Sequence, residues 1–322
     1  MARQQQAATD AGRAITEASA SSFARPRRDS RVSRRAAAAA IRGVVVDRAR
    51  AHATPQALVG SVVEAVWAGT HVALYPLGTR APRRGSDGHR YRIEDLPPLQ
   101  RGLVASGLVE SGTPILLVHG MVDNHSIFAL LRHGLMRRGF SRVFAMNYSV
   151  RTRDVRTAAV QLAEEIERVI DETGYERIHV VAHSLGGIIA RYYVTRLDGD
   201  ARVHTLVTLG APHHGTYVAH LLPTRICKQL RPGSALLSEL NQPAPGCRTR
   251  VIAMWSDTDE AIVPADRAAL HQEGVAVTNV PLEGVGHLTL PILPTVVHTI
   301  ARSLTQLDAE GEPAASITDI SV

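Results

Sequence analysis

The chain predicts an α/β fold on a mostly parallel sheet of about six strands, with helices on both faces and a small cap or lid insertion. Three observations predict it. From about residue 110, short apolar runs alternate with amphipathic stretches at helical spacing. The runs are five to eight residues long and nearly continuous, as in strands buried on both sides. Side chains with chemical potential gather just after these runs, and parallel sheets bind ligands beyond the carboxyl ends of their strands.

The elements follow in order. Strands are expected at 114–118, 142–147, 177–182, 203–209, 251–255 and 275–280. A helix over 155–172 carries Leu162, Ile166, Val169 and Ile170 at 3–4 spacing, with Asp154 as N-cap and Gly174 just past its end. Further helices are expected at 185–197 and 293–307. Residues 216–247 contain no strand signal but hold Leu221-Leu222 and Ala235-Leu236-Leu237, which suits an inserted lid or a piece of core. The α/β domain is therefore placed at 111–307.

Composition bounds the rest. The chain has 322 residues, 45% of them hydrophobic and only 4% aromatic, so aliphatic side chains must fill the interior. Residues 1–55 hold eleven arginines against four acids, a net +7, which leaves −1 of the chain's +6 for the remaining 267. The basic charge thus belongs to a tail read as disordered and not to the core, which argues against nucleic-acid binding. Lys228 is the one lysine of the chain, so arginine usage is a general bias.

Residues 56–110 read as a helical extension packed on or near the core, and 308–322 as a second disordered tail. The stretch 57–77 is apolar but carries Glu64 and His71, which disfavours a membrane span and leaves a packed helix or peripheral membrane contact. Ser33-Arg34-Arg35 before five alanines faintly resembles a twin-arginine signal, interrupted by Arg42. A cytoplasmic or peripherally membrane-associated place is expected, with export as the alternative. Cys227 and Cys247 allow one disulfide under export and do not fix the compartment. The oligomeric state is not legible.

The informative stretch is Ala182-His183-Ser184-Leu185-Gly186-Gly187, between a strand and a helix. A nucleophile elbow needs this arrangement, because a very tight turn projects the serine hydroxyl above the sheet. Residues two before and two after must be small where the strand and helix backbones nearly touch, which accounts for Ala182 and Gly186. A serine needs a base, and the base an orienting acid, in the chain order Ser…Asp/Glu…His. After the fifth strand comes Ser256-Asp257-Thr258-Asp259, and after the sixth Gly286-His287-Leu288. His287 is the base; Asp259 is the acid, with Asp257 as the alternative. The oxyanion needs two backbone N–H donors. Leu185 supplies one and the 119–121 loop the other, at Met121, with His119 holding that loop.

VHGMVDN, AHSLGG, TLGAPHHGT, SDTDEAIVP and GVGHLTLP together resemble the α/β-hydrolase superfamily. They are most similar to its bacterial triacylglycerol lipase/esterase branch of actinobacterial type, over residues 110–305. The resemblance implies an α/β-hydrolase fold, a Ser184–Asp259–His287 triad, no cofactor, and an acyl-ester or lipid substrate. It makes His183, Pro212 and His213 substrate-pocket candidates. His204, His213, His214 and His220 lack the spacing of a metal site, and none is expected. An acyltransferase, thioesterase or amidase would use the same triad, and a catalytically silent binding protein is the reading from another class. Relatives that open epoxides or remove halides carry Asp where this chain has Ser184.

Overall fold

The computed structural model describes residues 112–121, 125–148 and 154–305. The expectations for 1–55, 56–110 (with the apolar stretch 57–77) and 308–322 lie outside the described residues.

Six strands form one sheet: β1 (Ile115–Val118), β2 (Val143–Met146), β3 (Ile178–His183), β4 (Val203–Leu209), β5 (Arg250–Ser256) and β6 (Ala276–Leu282). Their order is β2-β1-β3-β4-β5-β6, and every pairing is parallel. The order reverses between β1 and β3. A crevice opens at such a reversal, outside the carboxyl ends of the strands.

Alternation along the strands sorts the core into two layers. Leu116, Val118, Val180, Ala182, Leu206, Val251 and Ala253 face α2 (Val155–Thr173) and α3 (Leu185–Arg196). Ile115, Leu117, Val181, Val207, Ile252 and Met254 face α1 (Ala129–Met136) and α6 (Pro294–Thr305). Each central strand buries both faces, which is why these strands read as unbroken apolar runs.

Local signals place the helix ends. The Asp154 carboxylate accepts from the Arg156 and Thr157 N–H groups at the start of α2, and Gly174 ends the helix at φ 74°. The sequence gives no start signal for α1, where Phe128 stands at the N-cap without a side-chain bond. Gly134 inside α1 also weakens the helical pattern. Its absent side chain lets the helix press on α6, since a Cβ there would lie 2.7 Å from Val297 Cγ1.

The segment 216–247 contains two short helices, α4 (Arg225–Gln229) and α5 (Ala235–Leu240). Leu236, Leu237 and Leu240 are buried in the layer shared with α2 and α3. The second apolar stretch of the expected lid is therefore core, while Leu221 and Leu222 are 66% and 50% exposed. Polar clamps hold the segment down. Gln229 Nε2 donates to Asp154, Tyr192 donates to Glu239 at 2.6 Å, and Arg156 pairs with Glu239. Arg191 is fully buried and donates to Gln272 Oε1, the His213 and Leu240 carbonyls and Asn241 Oδ1. Burial, with Arg196 nearby, pushes its pKa down to about 9, so it remains charged at neutral pH, held by neutral acceptors.

Candidate active site

Ser184 joins β3 to α3 at φ 53°, ψ −122°. Among the described residues only Ser184 and Asp198 combine a positive φ with a side chain. Such a backbone costs on the order of 1–3 kcal/mol and persists where the surroundings enforce it. Here the Ser184 N–H donates to the Leu209 carbonyl at 2.9 Å, and the Gly187 N–H donates to the Ser184 carbonyl at 3.0 Å. A Cβ on Gly186 would lie 2.5 Å from the Val118 carbonyl oxygen and 2.6 Å from that of His119. One on Gly187 would meet Ala211 Cβ at 2.5 Å. The small residues thus bring the first turn of α3 against the loop that leaves β1.

That approach places the two expected oxyanion donors in neighbouring elements. Leu185 is the first residue of α3, so its N–H has no acceptor within the helix and stands at the positive end of the helix dipole. Met121 follows the β1 loop, and its sulfur lies 3.8 Å from the Cys227 thiol. His119 steadies this loop: its Nδ1–H donates to the Gly120 carbonyl at 2.8 Å, and its ring stacks on Tyr148 at 4.3 Å. The Tyr148 hydroxyl is shared between the His119 and Gly120 carbonyls at 2.8 and 3.0 Å. Tyr148 went unnoticed in the sequence; its position just after β2 was the available signal.

The expected acid and base follow β5 and β6. His287 Nδ1 lies 2.7 Å from Asp259 Oδ2, and both side chains are buried. Asp259 Oδ1 accepts from the Ala261 and Ile262 N–H groups at 2.9 and 3.0 Å, so the carboxylate is fixed in orientation. Asp257 takes another part: it is exposed and accepts from the Gly284 N–H at 2.9 Å. Ser256 Oγ accepts from Thr258 N and Val285 N, tying the acid loop to the base loop. Gly210, at φ 55°, makes room for the pair, since a Cβ there would lie 2.8 Å from Asp259 Oδ2 and 3.1 Å from His287 Nδ1.

The pocket candidates are all buried. His183 and His213 are wholly buried and Pro212 is buried, so none presents a side chain to open solvent. His183 Nε2 donates to the His287 carbonyl at 3.0 Å. His213 Nε2 pairs with Thr208 Oγ1 at 2.9 Å, and burial, then the nearby Arg191 and His214, hold its pKa well below the usual histidine value. A neutral His213 thus braces the loop after β4 through Thr208. Cys227 and Cys247 are both free thiols. Among the described residues no three His, Cys, Asp or Glu side chains gather as metal ligands, and no helix is long and apolar enough to cross a membrane.

The sheet order, the strained serine and the Asp259–His287 pair are those of an α/β-hydrolase, and the chain has that fold. Its likeness within the superfamily runs to lipases and esterases. Residues 114–269, just under half of the chain, match the family described as palmitoyl protein thioesterase. The triacylglycerol lipase of Pseudomonas fragi is 28% identical over 119 residues, which cover 35% of this chain and 39% of that one. A triacylglycerol lipase of Vibrio cholerae is 27% identical over 124 residues, 37% of this chain and 39% of the relative. The chain thus spans about two-fifths of the length of these curated relatives. A Bacillus licheniformis lipase in its mature form superposes with a TM-score of 0.52 at 16% identity, over 61% of this chain and 93% of that one, a likeness of fold.

Proposed function

We propose that this chain is a serine carboxylic-ester hydrolase that cleaves acyl esters of lipids through Ser184, His287 and Asp259. The observation that carries the reading is the buried 2.7 Å pair of Asp259 and His287, together with a serine held at positive φ at the carboxyl end of β3. Asp259 accepts from Nδ1–H, which fixes the tautomer and leaves Nε2 as the nitrogen that takes the Ser184 proton. Ser184 Oγ attacks the acyl carbonyl, and the Leu185 and Met121 N–H groups hold the oxyanion. His287 returns the proton to the leaving alcohol. Water, activated by the same imidazole, then releases the acid from Ser184.

The lipid substrate is supported by the curated relatives, both described as triacylglycerol lipases. It is also supported by Leu221 and Leu222, exposed on the segment that leaves the site after β4. A second reading, a thioesterase, is favoured by the match to the palmitoyl protein thioesterase family. Both readings pass through the same acyl-Ser184. The test is hydrolysis of p-nitrophenyl esters from short to long acyl chains, beside thioesters of matched acyl groups, with Ser184→Ala as control. Long-chain ester cleavage lost in the variant supports the lipase reading, and preference for the thioester supports the second. A folded protein that cleaves neither contradicts both.

A further inference from the structure

The elbow explains why residues 182, 186 and 187 are small, but it sets no demand on residue 183. The structure gives that residue a task. His183 is the last residue of β3, peptide-bonded to Ser184, and wholly buried. Its Nε2 lies 3.0 Å from the His287 carbonyl oxygen, 104 positions further along the chain. A carbonyl only accepts, so the proton sits on His183 Nε2. The two imidazole rings also pack, with centroids 4.7 Å apart and planes at 42°. His287 itself stands on a loop between β6 and α6. Its own N–H makes a longer contact, 3.4 Å, to the exposed Glu260.

We propose that His183 is a positioning residue for the base: by donating Nε2–H to the His287 carbonyl, it fixes the base loop relative to Ser184, its own neighbour in the chain. This rests on the serine-hydrolase reading above. The strand that delivers the nucleophile also delivers the strut, so one peptide bond and one buried hydrogen bond link Ser184 to the base loop, beside the ties that Ser256, Asp257 and Asp259 make to it. Buried bonds of this kind hold geometry firmly, since no water competes for the acceptor. Displacement of a reacting group by about 1 Å can cost on the order of 100-fold in rate.

The test compares His183→Gln, His183→Asn and His183→Met with the native enzyme and with Ser184→Ala, on one soluble p-nitrophenyl ester. A glutamine amide nitrogen reaches the position of Nε2, whereas that of asparagine stops short at the position of Nδ1. The Gln variant should keep kcat within about threefold, while Met and Asn should lose about 10- to 100-fold in kcat with KM little changed. Thermal unfolding checks that each variant folds. If Met does not fold, the Gln and Asn pair carries the comparison, both being polar and close in size. Equal loss in Gln and Asn, or a folded Met or Asn variant with native kcat, overturns the positioning role. Full activity in Ser184→Ala would instead overturn the hydrolase reading itself.

Discussion

His179 is a proton-driven weak point in the fold, and its effect can be worked out. It lies in β3 in register with Ile115, Thr205 and, one strand beyond, Arg250. It is fully buried, and neither ring nitrogen has a hydrogen-bond partner among the described residues. Burial, then His204, Arg250 and Arg177, depress its pKa from 6.5 to about 3. The group is depressed in the folded state, so the unfolded chain takes up the proton first. Its share of stability is present above about pH 6.5 and is lost as pH falls toward 3. The loss is about 1.4 kcal/mol per pH unit, or about 2 kcal/mol between pH 7 and pH 5. His179→Leu removes the titration and keeps an apolar body of similar size. In urea unfolding at pH 7, 6 and 5, the variant should gain on the native protein by about 2 kcal/mol across that range. At pH 7 it should be no less stable, since two unpartnered buried nitrogens are gone. A stability difference that stays constant from pH 7 to pH 5 would rule out proton-linked destabilisation at His179.

Two more predictions concern the site. Asp259→Asn should fold and lose on the order of 1,000- to 10,000-fold in kcat, because the carboxylate that fixes the His287 tautomer is gone. Asp257→Asn should stay within about threefold of native kcat, since that carboxylate holds Gly284 N and not the base; steady-state ester kinetics on both variants separates the two acids. Gly186→Ala should destabilise by at least about 1–3 kcal/mol, because its Cβ would meet backbone oxygens of Val118 and His119 at 2.5 and 2.6 Å. Any folded fraction should also lose rate as the Leu185 and Met121 amides are pushed apart. Native thermal stability in that variant would contradict the close approach of α3 and the β1 loop.

The fold was legible because strands buried on both faces leave continuous apolar runs, and because Asp154 and Gly174 mark the ends of α2. Ser184, Asp259 and His287 could be picked out since each follows a strand, and Ala182 and Gly186 are required only where backbones touch. What stayed hidden depends on contacts between distant parts of the chain. Nothing local tells that His183 reaches His287, that Tyr148 holds the His119 and Gly120 carbonyls, or that Gly210 clears space for the acid and base. Which of Asp257 and Asp259 meets His287 was likewise a matter of reach, and it is the Asp259 carboxylate that lies against Nδ1. The lid leucines split for the same reason: 235–237 sits under the clamps that Glu239 makes with α2 and α3, and 221–222 does not.

The most direct test of the central claim is covalent labelling of the intact protein with a fluorophosphonate, followed by peptide mass spectrometry. One adduct is expected, on Ser184, absent in Ser184→Ala and much slower to form in Asp259→Asn. A folded protein that takes no label, or takes it on another residue, would contradict the claim.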